Sequence, residues 1–262
     1  MIRLLLDLDG VLVKDKALNP FPDTSDFLNF LRRKGIPFKV VSNNSTKPPK
    51  EMIESLKGKG IFLEEEKFVS PLSILPHYLR RNGIYRLFVI GTPNLKSYLE
   101  GEGFQVVENH AVQAVIIGQD RNLDFTKIKT ATSAVFLSNA KILPVNLSRI
   151  VKDDDGLYFP GAGAIARMLV HACNYREDVP NLGKPSEEFI NYAIEDMPGE
   201  ETYLVSDDIY TDLVGAKNLG IKTIFMTTGK YRKEELSKAN FCPDFIFESL
   251  KDLRDFLETL PR

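Results

Sequence analysis

The chain has 262 residues, 43% apolar and 27% charged, with 34 basic and 36 acidic side chains for a net charge of -2. That balance argues against a mainly electrostatic nucleic-acid binder, which carries a basic surplus, and no apolar run approaches the roughly 20 residues that span a bilayer. The two cysteines, Cys173 and Cys242, form no CxxC pair, so a disulfide framework and a cysteine-built zinc site are both disfavoured and a reducing compartment fits.

Arg3 to Leu6 is a short apolar run closed by Asp7 and Asp9. It is too brief for the apolar region of a signal peptide and reads as a strand buried on both faces. The expectation is a soluble, cytoplasmic protein with neither nucleic acid nor membrane as partner. Thr24 or Ser25 is placed to cap a helix with Phe27, Leu28 and Leu31 on one face, ended by Gly35. Ile36 to Val41 predicts a second strand, closed by the polar turn Ser42-Asn43-Asn44-Ser45-Thr46. Pro48-Pro49 opens a helix with Met52, Ile53 and Leu56 inward. Strand, helix, strand, helix is the pattern of a parallel sheet with helices on its faces.

Leu87 to Ile90 and Ala114 to Ile117 repeat that pattern as strands, with Leu95 to Leu99 and Phe125 to Leu137 in helices. From Lys141 to Phe159 the periodicity weakens, with Asp153-Asp154-Asp155-Gly156 as a turn. Pro160-Gly161-Ala162-Gly163-Ala164 opens a helix reaching about His171. The last third is regular again. Gly183-Lys184-Pro185-Ser186 precedes a helix from Glu187 to about Glu195, and Thr202 to Val205 is a strand ending at Ser206-Asp207-Asp208. A helix over Tyr210 to Leu219 and strands at Ile221 to Met226 and Phe245 to Phe247 follow, with a final helix from Leu250 to Leu260. The fold class expected is α/β, a doubly wound parallel-sheet (Rossmann-like) core over residues 1–72 and 180–262, with a smaller α/β unit inserted at 73–179.

Ligands of doubly wound sheets bind beyond the carboxyl ends of the strands. Four polar clusters fall there: Asp7-Leu8-Asp9-Gly10, Ser42-Asn43-Asn44, Lys184 in its loop, and Asp207-Asp208 with Asp212. Converging carboxylates repel and need a cation, a proton or a metal among them. Oxygen-only donors favour a hard ion such as Mg²⁺ when the substrate carries phosphate. Lys184 supplies a fixed positive charge, and Ser42 with the N–H groups of its turn can donate to phosphate oxygens. Each cluster alone also has a plain reading: a strand end, a loop hydroxyl, a solvated lysine, acids at a helix N-terminus. Their order along the chain is what raises them above it.

That order resembles the haloacid dehalogenase superfamily. Asp7-Leu8-Asp9-Gly10-Val11-Leu12 is similar to its first motif, Ser42 to the second, Lys184 in Gly183-Lys184-Pro185 to the third, and Asp207-Asp208-Ile209-Tyr210-Thr211-Asp212 to the fourth. The run Val41 to Thr46, the inserted middle and Pro160-Gly161-Ala162-Gly163-Ala164 resemble its NagD-like branch (subclass IIA), which includes p-nitrophenyl phosphatases. Ser206 departs from the glycine often found before the fourth-motif acid.

The resemblance implies an Mg²⁺-dependent phosphatase acting on a small phosphomonoester through an aspartyl-phosphate. Asp7 would be the nucleophile and Asp9 the general acid and base. Asp7, Asp9 (through its carbonyl) and Asp207 would hold the metal. Ser42, Asn43 and Lys184 would bind phosphate, with Asp208 and Asp212 in support. Gly163 would let the inserted unit's backbone approach the substrate, although a plain tight turn explains the same glycine. A phosphotransferase or phosphomutase would use the same intermediate, and a non-catalytic phosphate-binding protein would use the same fold. A phosphorelay receiver, a non-enzymatic alternative, is about half this length and has no use for an acid at Asp9. A homodimer stays open, and the natural ester is not legible.

Overall fold

The computed structural model describes residues 1–152 and 155–260. The expected turn at Asp153-Asp154-Asp155-Gly156 therefore lies partly outside the described residues. In chain order the main elements are β1 (Ile2–Asp7), α1 (Thr24–Lys34), β2 (Phe38–Val41), α2 (Pro49–Lys57), β3 (Phe68–Val69), α3 (Pro71–Arg81), β4 (Arg86–Ile90), α4 (Pro93–Gly101), β5 (Gln105–Val106), β6 (Ala114–Ile117) and α5 (Phe125–Ser138). They continue with β7 (Lys141–Pro144), β8 (Ile150–Lys152), β9 (Tyr158–Pro160), α6 (Ala162–Ala172), α7 (Glu187–Ile194), β10 (Glu201–Ser206), α8 (Val214–Asn218), β11 (Lys222–Met226), α9 (Glu235–Ala239), β12 (Phe245–Phe247) and α10 (Leu250–Thr259).

The chain divides into two compact units. The first comprises Met1–Ser42, Pro49–Ser70 and Lys184–Arg262; the second comprises Asn43–Pro48 and Pro71–Gly183. These limits differ from the expected ones in three places. The loop Asn43–Pro48, although flanked by core elements, groups with the second unit, the earlier crossing falls between Ser70 and Pro71, and the later one falls between Gly183 and Lys184.

The first unit is built on a six-stranded sheet in the order β12-β11-β10-β1-β2-β3, parallel throughout. Period-two alternation sends Leu4, Leu6, Val40, Val205, Ile224 and Met226 to one face. There they bury against Phe27, Leu28 and Leu31 of α1, Met52 and Leu56 of α2, and Leu250, Leu253 and Leu257 of α10. Phe225 points the other way and packs with Ile209 and Leu213. Both faces are thus covered, which explains why the strands read as unbroken apolar runs.

Two local expectations are corrected. Neither Thr24 nor Ser25 caps α1: the N-cap is Asp23, which makes no side-chain cap bond, and the buried Thr24 hydroxyl donates to the Leu12 carbonyl instead. The single helix expected over Tyr210 to Leu219 is a wide π-turn, Ile209–Leu213, followed by the short α8.

The second unit carries a four-stranded parallel sheet in the order β5-β4-β6-β7 and an antiparallel pair, β8 with β9. The weak pattern from Lys141 onward resolves into the buried edge strand β7 and this hairpin. The start of α6 is packed tightly: a Cβ at Gly161 would lie 2.5 Å from the Ser148 carbonyl oxygen, and one at Gly163 would lie 2.6 Å from that of Leu147. Among the described residues, no helix is long and apolar enough to cross a membrane.

Candidate active site

The polar residues of the first unit gather at the carboxyl ends of β1, β2 and β10. Parallel pairing sets this, because Leu6 is level with Val205 and Asp7 with Val41. Lys184 reaches the same edge from its loop, and Gly215 makes room for that loop: a Cβ there would stand 2.4 Å from Pro185 Cγ.

The Lys184 ammonium lies 2.5 Å from Asp7 Oδ1 and 2.7 Å from Asp212 Oδ2, and the three side chains are only 4, 5 and 2% exposed. Burial disfavours the Lys184 cation, but Asp212 and Asp7 more than offset this and hold its pKa above the ordinary lysine value. Burial pushes the Asp7 carboxyl well above the usual carboxylate range, against the pull of Lys184. Asp9 is exposed; desolvation by the surrounding protein raises its pKa, opposed by Lys184 and by a hydrogen bond from the Ser42 hydroxyl. Ser42 itself is fully buried.

Asp207 sits in a slot made by two glycines. A Cβ on Gly10 would fall 2.1 Å from Asp207 Oδ2, and one on Gly229 would fall 1.9 Å from the same atom. Gly10 is also in the left-handed region at φ +73, where a side chain is strained. The Lys230 N–H donates to Asp207 Oδ2 at 2.5 Å, and the Thr228 hydroxyl donates to the Gly10 carbonyl at 2.6 Å. Burial raises the Asp207 pKa, against the Lys230 N–H. Asp208 turns away from this cluster: its carboxylate accepts the Thr211 N–H at 2.9 Å and pairs with the Lys230 ammonium at 2.9 Å.

Asp7, Asp9, Ser42, Lys184, Asp207 and Asp212 therefore meet in one unit. Asn43 and Gly163 belong to the other, where the tight contact of Gly163 with Leu147 accounts for that glycine without a ligand. Sequence reading missed Thr228, Gly229 and Lys230. The signal available was a Thr-Thr-Gly turn directly after the predicted strand Ile221 to Met226, at the same sheet edge as the acids.

Among the described residues, no group of three or more His, Cys, Asp or Glu side chains is arranged to hold a metal. The donors that do fit are fewer and all oxygen: the Asp7 and Asp207 carboxylates, with the Asp9 carbonyl that the sequence resemblance adds. Four carboxylates, Asp7, Asp9, Asp207 and Asp212, face one ammonium here, and desolvation drives three of them upward in pKa. A pocket of uncompensated negative charge with hard donors suits a divalent cation.

A doubly wound α/β core with a buried carboxylate–lysine cluster at its switch point defines a class of hydrolase-like proteins. The family described as haloacid dehalogenase-like hydrolase matches residues 4–105, and a HAD-hydrolase-like family matches residues 181–253. An acid sugar phosphatase of Staphylococcus saprophyticus is 28% identical over 97% of this chain and 97% of its own. A hypothetical protein from Pyrococcus horikoshii has a solved structure that superposes with a TM-score of 0.86 at 30% identity, covering 98% of this chain and 100% of that one. The p-nitrophenyl phosphatase from Archaeoglobus fulgidus gives a TM-score of 0.84 at 26% identity, covering 97% and 98%. The chain belongs to the haloacid dehalogenase-like hydrolase family, and within it is similar to the acid sugar and p-nitrophenyl phosphatases along nearly its whole length.

Proposed function

We propose that this hydrolase is a phosphatase that cleaves a small phosphomonoester through an aspartyl-phosphate on Asp7. The observation that carries the reading is the buried triad in which Lys184 joins Asp7 to Asp212. A nucleophilic carboxylate must approach a dianionic phosphate, and a fixed cation at 2.5 Å from that carboxylate lowers their repulsion. The phosphatase names of the similar proteins support the same chemistry, and the relative that acts on sugar phosphates makes these the first substrate class to try.

In this scheme an Asp7 oxygen attacks phosphorus, and the bond to the ester oxygen breaks with its electron pair. Asp9, exposed and raised in pKa, gives its proton to the departing oxygen. It then takes a proton from the water that attacks the acyl phosphate, releasing inorganic phosphate and restoring Asp7. The Ser42 hydroxyl and the Asn43 N–H donate to phosphate oxygens, and Asp212 keeps Lys184 in place. Asp7, Asp207 and the Asp9 carbonyl would hold Mg²⁺, which would supply charge neutralisation. Selection of the leaving group is assigned to the second unit.

The test is hydrolysis of p-nitrophenyl phosphate and of a panel of sugar phosphates, nucleotides and phosphoglycolate, with inorganic phosphate measured directly. Free phosphate should appear with Mg²⁺ and cease when EDTA removes it. Asp7→Asn should lower kcat by at least ~10⁴-fold with the fold intact, as loss of a nucleophile does elsewhere. Near-normal turnover by that variant would end the covalent scheme. Transfer of phosphate to an acceptor without free phosphate would assign a phosphotransferase.

A further inference from the structure

Ser206 is the one side chain of the buried cluster to which the scheme above gives no task. It ends β10, is fully buried, and directly precedes Asp207. Its Oγ lies 3.0 Å from Asp7 Oδ2 and 2.7 Å from Asp212 Oδ2, and it accepts the Asp208 N–H at 3.0 Å. A hydroxyl carries one proton, so it donates to one of the two carboxylates at a time. The other Asp7 oxygen, Oδ1, is held by Lys184 at 2.5 Å. When the hydroxyl faces Asp7, the carboxylate is gripped at both oxygens and its plane is fixed. A glycine at this position would supply neither contact.

We propose that Ser206 is a positioning residue for the nucleophile: its hydroxyl holds the Asp7 carboxylate from Oδ2 in the plane that attack on phosphorus requires. The inference rests on the covalent reading above. In the step concerned, an Asp7 oxygen bonds to phosphorus while the ester oxygen leaves with the bonding pair and the Asp9 proton. Misdirecting a reacting atom is costly at that moment. Once the acyl phosphate exists, the new covalent bond fixes the same geometry. The Ser206 proton then serves Asp212, the remaining charged acceptor, which forms the stronger bond. The effect of losing the hydroxyl therefore falls on the first half-reaction.

The experiment is single-turnover kinetics on the full chain with Mg²⁺ and p-nitrophenyl phosphate. Release of p-nitrophenol reports the first step and release of phosphate the second, while acid quenching traps phosphorylated protein. In Ser206→Ala and Ser206→Gly the first step should slow about tenfold, with KM, the second step and the calorimetric Mg²⁺ affinity changed less than about threefold. Ser206→Thr should recover most of the first-step rate. Trapped phosphoprotein in the wild type with an unchanged first step in both hydroxyl-free variants would overturn the role of Ser206 alone. Weaker Mg²⁺ binding or lower thermal stability with an unchanged first step would also overturn it, leaving a structural serine. No trapped phosphoprotein in the wild type would overturn the covalent reading and this inference together.

Discussion

Both parallel sheets of this protein reverse their winding between two neighbouring strands, β1 and β10 in the first unit and β4 and β6 in the second. Such a reversal opens a crevice at the carboxyl edge, yet the two crevices are furnished in opposite ways. At the first, the strands run out into Asp7, Ser206 and Asp207, joined by Lys184 and Asp212. At the second, they run out into Gly91 and Gly118, and Leu95 of α4 lies over both: a Cβ on either glycine would meet Leu95 Cδ2, at 2.8 and 2.7 Å. One topology thus yields a polar pocket where strand ends are acidic and a sealed apolar joint where they are glycine. Winding order supplies the place for chemistry, and the residue after each strand decides whether any occurs there.

Three substitutions would break or sharpen this contrast. The largest effect is expected at Lys184→Met, which leaves Asp7 and Asp212 buried without their shared cation. Removing one partner of a buried ion pair costs about 3–5 kcal/mol, so denaturant titration should show a loss of that order together with loss of turnover. Stability equal to wild type would mean that the carboxylates do not depend on Lys184. Next is Leu95→Ala, which hollows the sealed crevice. Thermal and denaturant unfolding should report a loss of about 3 kcal/mol, while kcat stays within about twofold. A collapse in kcat with preserved stability would give the second crevice a chemical role after all. The smallest effect on stability is expected at Gly229→Ala, where the new methyl group would press on the Asp207 carboxylate and, at 2.7 Å, on Gly10 Cα. Mg²⁺ affinity by calorimetry should weaken about tenfold, the scale of a lost supporting contact to a metal ligand, with an overpacking cost of about 1–3 kcal/mol in denaturant unfolding. Unaltered affinity would remove Asp207 from the metal site.

Much of the first crevice was legible because its signals are local. A run of apolar residues followed by an acid marks a buried strand and its end, as at Leu4 to Asp7 and Leu204 to Asp207, and these two ends, with Ser42 after a third strand and Lys184 in its loop, outline a sheet edge. The glycine slot was not legible: Gly10 and Gly229 become neighbours only after folding, and each alone reads as a turn. Ser206 was visible as an unexpected residue, but its bridge between Asp7 and Asp212 depends on the pairing of β1 with β10 and on the wide turn at Ile209–Leu213. That turn interrupts a helical pattern which the apolar spacing makes look continuous. The strands β3 and β5 have two residues each, too few for any periodicity to register. α3 hides behind Pro71 and Pro76, which on sequence alone argue for a break. Thr24 misled for a simpler reason: a hydroxyl at a helix start usually caps, and here the Leu12 carbonyl competes for it.

The central place of β1 has a consequence for how the protein is made. Its neighbour on one side, β2, follows within the first 41 residues, but the neighbour on the other side, β10, begins only at residue 201. While the intervening stretch leaves the ribosome, the strand bearing Asp7 keeps one open flank, with amide groups ready to pair with another nascent chain. Translation rate and chaperone supply between residues 42 and 201 should therefore govern the yield of folded protein more than the strength of the finished sheet does.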